Sequence, residues 1–247
     1  MGRYIITVEY DGTPFCGWQR QKGVATVQGC LEDSMLPFVK KKITLHGSGR
    51  TDTGVHAICQ VAHFDFDEDV DCFRLVECMN AHLVDLPISV LSLQKTTETF
   101  NARTSAVERQ YLYKILNRRA KACLDAHRVW HIAAPKLDEA SMYAVAQHLV
   151  GKHDFSTFRA AGCQSKSPLK TLNRIDVTRD ETLLTITVAA RSFLYRQVRN
   201  IVGSLCLVGC GKWSHADFLE AFMARDRRQA GPTAPAHGLY FVGTKYS

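Results

Sequence analysis

Gly47-Ser48-Gly49-Arg50-Thr51-Asp52-Thr53-Gly54-Val55-His56-Ala57 is the stretch on which the reading of this chain turns. Three glycines within eight residues give the backbone access to turns that a Cβ would forbid. Arg50 and Asp52 stand two apart between them. In extended backbone such residues point to the same side, and a guanidinium within about 4–6 Å of a carboxylate favours its ionised form. On that geometry Asp52 is a carboxylate at neutral pH, suited to act as a nucleophile or base and not as an acid. On composition alone the same string is an ordinary Gly/Thr/Asp surface turn. Neither common phosphate loop fits. No glycine-initiated register supplies the Lys of G-x-x-x-x-G-K-[ST], and G-x-G-x-x-G needs a glycine where Asp52 stands.

Upstream, Tyr4, Ile6, Val8 and Tyr10 alternate with Ile5, Thr7 and Glu9, the pattern of a strand from Arg3 to Tyr10. Asp11-Gly12-Thr13-Pro14 ends it with turn chemistry. In the loop Phe15–Gln21, Trp18 reads either as an RNA contact or as a lid over the core. Thr26 caps a helix with Val27, Cys30, Leu31 and Met35 on one stripe, and Pro37 is expected at or beyond its end. Lys40-Lys41-Lys42 reads as a solvated turn. Ile43 to His46 predicts a short strand leading into the motif. Ile58 to Phe66 predicts another, with Ala62, Phe64 and Phe66 on one face. A helix follows from Asp71 to about Leu83, then a strand from Ile88 to Leu93. Strand, helix, strand, strand, helix, strand resembles a ferredoxin-like unit. That order does not fix function.

Downstream, Ser105 to Asn117 predicts a long strand with Arg109, Tyr111 and Tyr113 on one face. Its tyrosines are either half-buried in a sheet or one of them stacks on a nucleobase, worth about 1–3 kcal/mol. Leu137 to Val150 predicts a helix stopped by Gly151. His153-Asp154-Phe155-Ser156-Thr157-Phe158 reads as a packed turn and not a catalytic pair. Ala160 to Lys170 is a polar loop whose Lys166 and Lys170 suit phosphate contact. Leu172–Thr178 and Leu183–Ala190 form a hairpin. Arg191 to Gly203 predicts a helix, apolar apart from its arginines, so at least one of them needs a buried anionic partner. Ser214-His215-Ala216-Asp217 reads as a capping box opening a helix to about Met223, and Gly238 to Lys245 is a last strand.

With 247 residues, 46% hydrophobic and 22% charged, the chain has room for one large domain or two smaller ones. A net charge of +7 favours a polyanionic partner. Nine cysteines without a C-x-x-C pair, mostly in apolar segments, read as reduced, buried thiols. Cys206 and Cys210 share a helical face but lack a second ligand pair, and the histidines form no H-E-x-x-H, so no metal is expected. No secretory signal is visible, Ile6 stands where a myristoylation start needs Ser or Thr, and Ile201–Gly211 is too short to span a bilayer. A cytoplasmic protein with no membrane association is expected.

The central stretch resembles the active-site motif of the tRNA pseudouridine synthase A family. The likeness extends along the chain in matching order. Gly17-Trp18-Gln19 is similar to a family segment near the cleft. Arg109-Gln110-Tyr111-Leu112-Tyr113 resembles its second motif, with Tyr111 matching the active-site tyrosine. Arg191–Gly203 resembles its third, with Gln197 where a Met is usual and Arg199 matching the residue that pairs with the catalytic carboxylate. Ala234–Leu239 resembles the closing motif, which puts Leu239 near the target base.

The resemblance implies an α+β chain of two ferredoxin-like domains, at about 1–103 and 104–247, whose antiparallel sheets join around a basic central cleft. It implies isomerisation of uridine to pseudouridine at positions 38, 39 and 40 in the anticodon stem-loop of tRNA, without cofactor or metal, by a homodimer with tRNA lying across both subunits. Asp52 is then the catalytic carboxylate, kept ionised by Arg199 and Arg50, and Tyr111 packs on the flipped base. Attack on C1′, addition to the uracil ring and removal of a sugar proton all remain open to Asp52. Two other classes compete. A non-catalytic RNA-binding protein is opposed by the intact Arg50-Thr51-Asp52 and Tyr111. A nucleoside or glycoside hydrolase wants two carboxylates with different roles, and one stands out here.

Overall fold

Tyr4, Ile6, Val8 and Tyr10 are buried, and the residues between them are not, so the alternation read in the sequence is that of a real strand. The structure, a computed structural model, describes residues 2–247. It divides into two units, residues 2–107 with Tyr240–Ser247, and Glu108–Leu239.

In the first unit, β1 (Gly2–Tyr10) leads to α1 (Val27–Val39), β2 (His46–Gly47), β3 (His56–Phe66), α2 (Cys72–His82) and β4 (Ile88–Thr96). β1 lies between β3 and β4, antiparallel to both, and β2 pairs antiparallel with β3. Thr26 and Asp71 cap the two helices by accepting from the backbone N–H of Gly29 and Arg74. α1 runs past Pro37, contrary to the expected stop. Proline in the last turn forfeits one hydrogen bond. Val39 still buries its side chain, and left-handed Lys40 closes the turn through its N–H to the Leu36 carbonyl, 2.9 Å away. The strand expected at Ile43–His46 is confined to its end. Ile43 and Leu45 do alternate inward, but the N–H of Leu45 goes to the Glu32 carboxylate (2.9 Å) and its carbonyl to Gln28 (3.1 Å), not to a neighbouring strand.

In the second unit, β5 (Ala106–Leu116) precedes β6 (Trp130–His131), α3 (Glu139–Ala146), β7 (Gly151–Asp154), β8 (Leu169–Asp180), β9 (Leu183–Ala190), α4 (Gln197–Gly209) and α5 (His215–Met223). β5 pairs with β9, β9 with β8 and β8 with β7, all antiparallel. α3 begins later than expected, because the Asp138 side chain accepts from the N–H groups of Ala140 and Ser141 and starts the helix there. Its end passes into a short 3-10 turn, Gln147–Leu149. α4 also begins later, since Arg196 is left-handed (φ 58°) and Arg191–Arg196 cannot join the helix. The capping box of α5 is formed as read, by Ser214 and Asp217.

Finally β10 (Leu239–Tyr246) rejoins the first unit, pairing in parallel with the start of β3 at His56 and Ala57. The expected division at 103/104, with everything after it in the second domain, therefore differs from the observed one by this strand and residues 104–107. A linear reading of motifs carries no signal for a strand that returns across the chain. The cysteines also differ from expectation. Cys206 is buried, its thiol pushed up to about 12 by desolvation; Cys123 is exposed and the other seven are half-buried. No described helix is long and apolar enough to cross a membrane.

Arg3 on β1 grips Asp65 on β3 through two bonds, of 2.7 and 2.8 Å, which hold the Asp65 carboxyl below its ordinary 3.8. A depressed carboxylate contributes stability above that value and loses it as pH falls through its folded pKa. Asp65→Asn should cost about 0.5–1 kcal/mol at pH 7 and less at pH ~3. Urea melts at the two pH values measure the difference.

Candidate active site

The central stretch is not part of a strand at its middle. From Ser48 to Val55 it is turn and coil, with Val55 donating to the Asp52 carbonyl (3.1 Å) across a turn that Gly54 makes possible (φ 77°). The segment holding Arg50 and Asp52 is loop and not part of a strand. Arg50 is exposed and donates from Nε to Gln19 Oε1 (3.1 Å), and Asp52 is half-buried on the turn.

What holds this loop lies elsewhere in the first unit. A Cβ on Gly12 would stand 2.0 Å from the Val55 carbonyl oxygen, and one on Gly17 (φ 83°) 2.6 Å from that of Thr51. The Asp11–Trp18 loop thus lies with its backbone directly on the backbone of the Asp52 loop. Trp18 donates its backbone N–H to the Thr51 carbonyl (3.1 Å), the Gly12 N–H donates to His56 Nδ1 (3.0 Å), and the Tyr10 and Thr51 hydroxyls share a hydrogen bond of 2.8 Å. Trp18 is 2% exposed, with Gly47 packed against its indole. Of its two sequence readings, the lid over the core is the observed one.

Behind the loop, Ser48 and Gln60 are fully buried and bonded to each other (2.8 Å), and Gln60 Nε2 donates to the Gly49 carbonyl (2.8 Å). A second buried chain fixes the neighbouring strip. Gln19 donates to Gln28 (2.7 Å), Gln28 donates to Glu32 (2.8 Å), and Glu32 accepts from Arg20 (2.8 Å). Arg50 is the exposed end of this chain. None of Ser48, Gln60, Gln28 and Glu32 was singled out from the sequence. Their only local signal is a polar side chain on a face otherwise apolar, as with Gln28 and Glu32 beside Leu31 and Met35.

The second unit carries the remaining candidates. Arg109, Tyr111 and Tyr113 share the buried face of β5 as read, but the two tyrosines have different surroundings. Tyr113 donates its hydroxyl to the Pro235 carbonyl (2.7 Å), and a Cβ on Gly238 would strike its ring. Burial pushes its phenol well above the usual range, so it is a fixed, neutral donor. Tyr111 sets its ring edge-on to Phe193, centroids 5.0 Å apart. Of the three arginines of the third motif, Arg191 and Arg196 are exposed and Arg199 is half-buried on α4. Arg199 Nε donates to the Ala234 carbonyl (2.7 Å), and the Ala234 N–H donates back to the Arg199 carbonyl (3.1 Å). The third and closing motifs therefore meet, and Leu239 ends the latter buried. His153 and Asp154 take structural parts. The ring of His153 lies against Phe155 and Phe222, and Asp154 accepts from Ser156 N–H (2.8 Å).

Chemically, the first unit presents a half-buried carboxylate on a braced turn, with exposed Arg50 two residues before it in the chain. The second presents a buried tyrosine and a half-buried guanidinium. A family model described as tRNA pseudouridine synthase matches residues 6–104 and 145–247. The tRNA pseudouridine synthase A of Afipia carboxidovorans is 52% identical over 246 residues, covering 100% of both chains. That of Brucella ovis is 50% identical over 249 residues, covering 100% of this chain and 99% of its own. Among solved structures, a chain of a Cbf5–Nop10–Gar1 complex is similar at a TM-score of 0.39 and 11% identity, over 84% of this chain and 45% of that one. That likeness is too low to carry an assignment.

Gly17 and Gly23 have nearly the same backbone, φ 83° and 81°, but a Cβ on Gly23 would meet nothing within 4 Å. Gly23→Ala should therefore cost only the left-handed penalty, about 1–2 kcal/mol. Gly17→Ala should cost at least about 2 kcal/mol more, because the Thr51 carbonyl must move. Denaturant melts of the pair isolate the backbone contact that holds the Asp52 loop.

Proposed function

The chain belongs to the tRNA pseudouridine synthase A family, and from that premise we propose that it isomerises uridine to pseudouridine at positions 38, 39 and 40 of the tRNA anticodon stem-loop, with Asp52 as the catalytic carboxylate. The reaction breaks the N-glycosidic bond, turns the uracil and rejoins it through carbon, so atoms are conserved and no redox step is involved. A carboxylate serves as nucleophile toward C1′ or the uracil ring, or as base toward a sugar proton. Each route needs it ionised. Arg199 and Arg50 supply the positive charge that favours that form. Tyr111 packs on the base once it leaves the stem.

The observation that carries this reading is the bracing of Asp52. Its loop is gripped from one side by backbone at Gly12 and Gly17 and from the other by the buried Ser48–Gln60 pair. A preorganised carboxylate is what such chemistry needs, and a plain surface turn has no use for it. The finer fold reading is also proposed: two ferredoxin-like units, with a basic cleft for the tRNA. The antiparallel order β4-β1-β3-β2, with α1 following β1 and α2 following β3, supports it for the first unit. The active species is proposed to be a homodimer with tRNA across both subunits.

Purified protein incubated with unmodified tRNA carrying uridine at 38, 39 or 40 should form pseudouridine there, mapped by a chemical label that stops reverse transcription. Release of free uracil would instead indicate a hydrolase, and tight binding without modification an RNA-binding module. Asp52→Asn should lower turnover by about 10²–10⁴-fold or more while tRNA affinity stays within about threefold. That affinity should fall steeply with salt, its logarithm dropping by about 0.7–0.9 per phosphate contact for each tenfold rise. A flat response would remove the phosphate-tracking cleft.

A further inference from the structure

We propose that Asn200, Arg227 and Thr233 form a brace that positions Arg199, and so act on the reaction without touching the substrate. The inference rests on the reading of Arg199 as the cation that keeps Asp52 ionised. It starts from an irregular segment, residues 230–235, that carries two acceptors used by neighbouring motifs. The Ala234 carbonyl receives Arg199 Nε, and the Pro235 carbonyl receives the Tyr113 hydroxyl. The direction in which Arg199 points is therefore set by a peptide unit with no secondary structure of its own.

Three side chains fix that peptide. Asn200, the residue after Arg199, is wholly buried on α4. Its Nδ2 donates to the Phe158 carbonyl (2.9 Å), which locks the amide with Oδ1 toward the segment. Oδ1 then accepts from the Thr233 hydroxyl (2.7 Å) and from Arg227 (3.2 Å). Arg227 also donates to Thr233 Oγ1 (3.0 Å) and to the Gly231 carbonyl (3.1 Å). The Thr233 hydroxyl thus gives one bond and receives one, as its single proton requires. Every acceptor of Arg227 is neutral, so the guanidinium serves as a rigid fork spanning residues 231 and 233 and not as half of an ion pair. From below, Ser204 Oγ accepts the Gly231 N–H (2.9 Å), and Gly203 leaves room for the Pro232 carbonyl, which a Cβ there would meet at 1.7 Å. The segment can neither lift from α4 nor turn its peptides. If the Ala234–Pro235 peptide rotated, Arg199 would lose its acceptor, and displacement of a reacting group's partner by about 1 Å costs up to about 10²-fold in rate.

The test is a pair of variants at Thr233 and a double-mutant cycle with Arg199, read by single-turnover pseudouridine formation at saturating tRNA. Thr233→Val removes the hydroxyl at constant shape. It should slow the step about tenfold, with tRNA affinity and melting temperature near those of the parent, while Thr233→Ser restores the rate. In an Arg199→Lys background, Thr233→Val should cost little further, because the group it positions has gone. Equal losses in both backgrounds, or full activity of Thr233→Val beside an impaired Arg199→Lys, would overturn the brace alone. Parental activity of Arg199→Lys would overturn the role of Arg199, and the brace with it. If Thr233→Val does not fold, Arg227→Lys removes the fork and enters the same cycle with the same expectations.

Discussion

Backbone lying directly on backbone is the constraint from which the rest of the first unit follows. At Gly12 and Gly17 two loops approach so closely that no side chain fits between them. The turn bearing Asp52 is thus shaped by two glycines far back in the chain as well as by its own Gly54. Close approach demands that both partners be held. The Phe15–Arg20 strip is tied to α1 by Gln28 and Glu32, and those same side chains satisfy the backbone of Leu45. α1 therefore does more than cover a sheet. Its buried face carries a carboxylate, tolerable because Arg20 and the Leu45 N–H compensate it.

The second unit solves the same problem with other materials. There an irregular segment lies on a helix at Gly203 and offers its carbonyls to Arg199 and Tyr113. In both units the chemically interesting residues sit on or beside irregular backbone, and buried polar side chains, not apolar packing, fix it. Apolar contacts are tolerant of small shifts, whereas a fully satisfied buried hydrogen-bond network admits few arrangements. That is the sort of support an oriented carboxylate and guanidinium require.

Where the chain obeys short-range rules the sequence was legible. The alternation of β1, the caps at Thr26 and Ser214 and the helix start at Asp71 appear in the structure as read. Departures have specific causes. Ile43 to Leu45 alternates like a strand, but its hydrogen bonds were claimed by Gln28 and Glu32. Phe193 fits the apolar stripe of α4 in a helical count, yet left-handed Arg196 separates it from the helix, and its ring lies against Tyr111. In the first place distant side chains, and in the second a left-handed residue, override the periodic pattern.

By itself the sequence determined the motifs, the caps, most strands and helices, and the set of residue types available for chemistry, because these depend on atoms within a few positions of one another. Only the tertiary structure distinguished residues that look alike in the string. Tyr113 is a buried donor to Pro235 while Tyr111 sits against Phe193; Arg199 turns to Ala234 while Arg191 and Arg196 face solvent; Gly17 is pressed on Thr51 while Gly23, with the same φ, stands in open space. Burial and partnership are properties of groups brought together by the fold from distant parts of the chain, and no local pattern encodes which of two equivalent side chains will meet them.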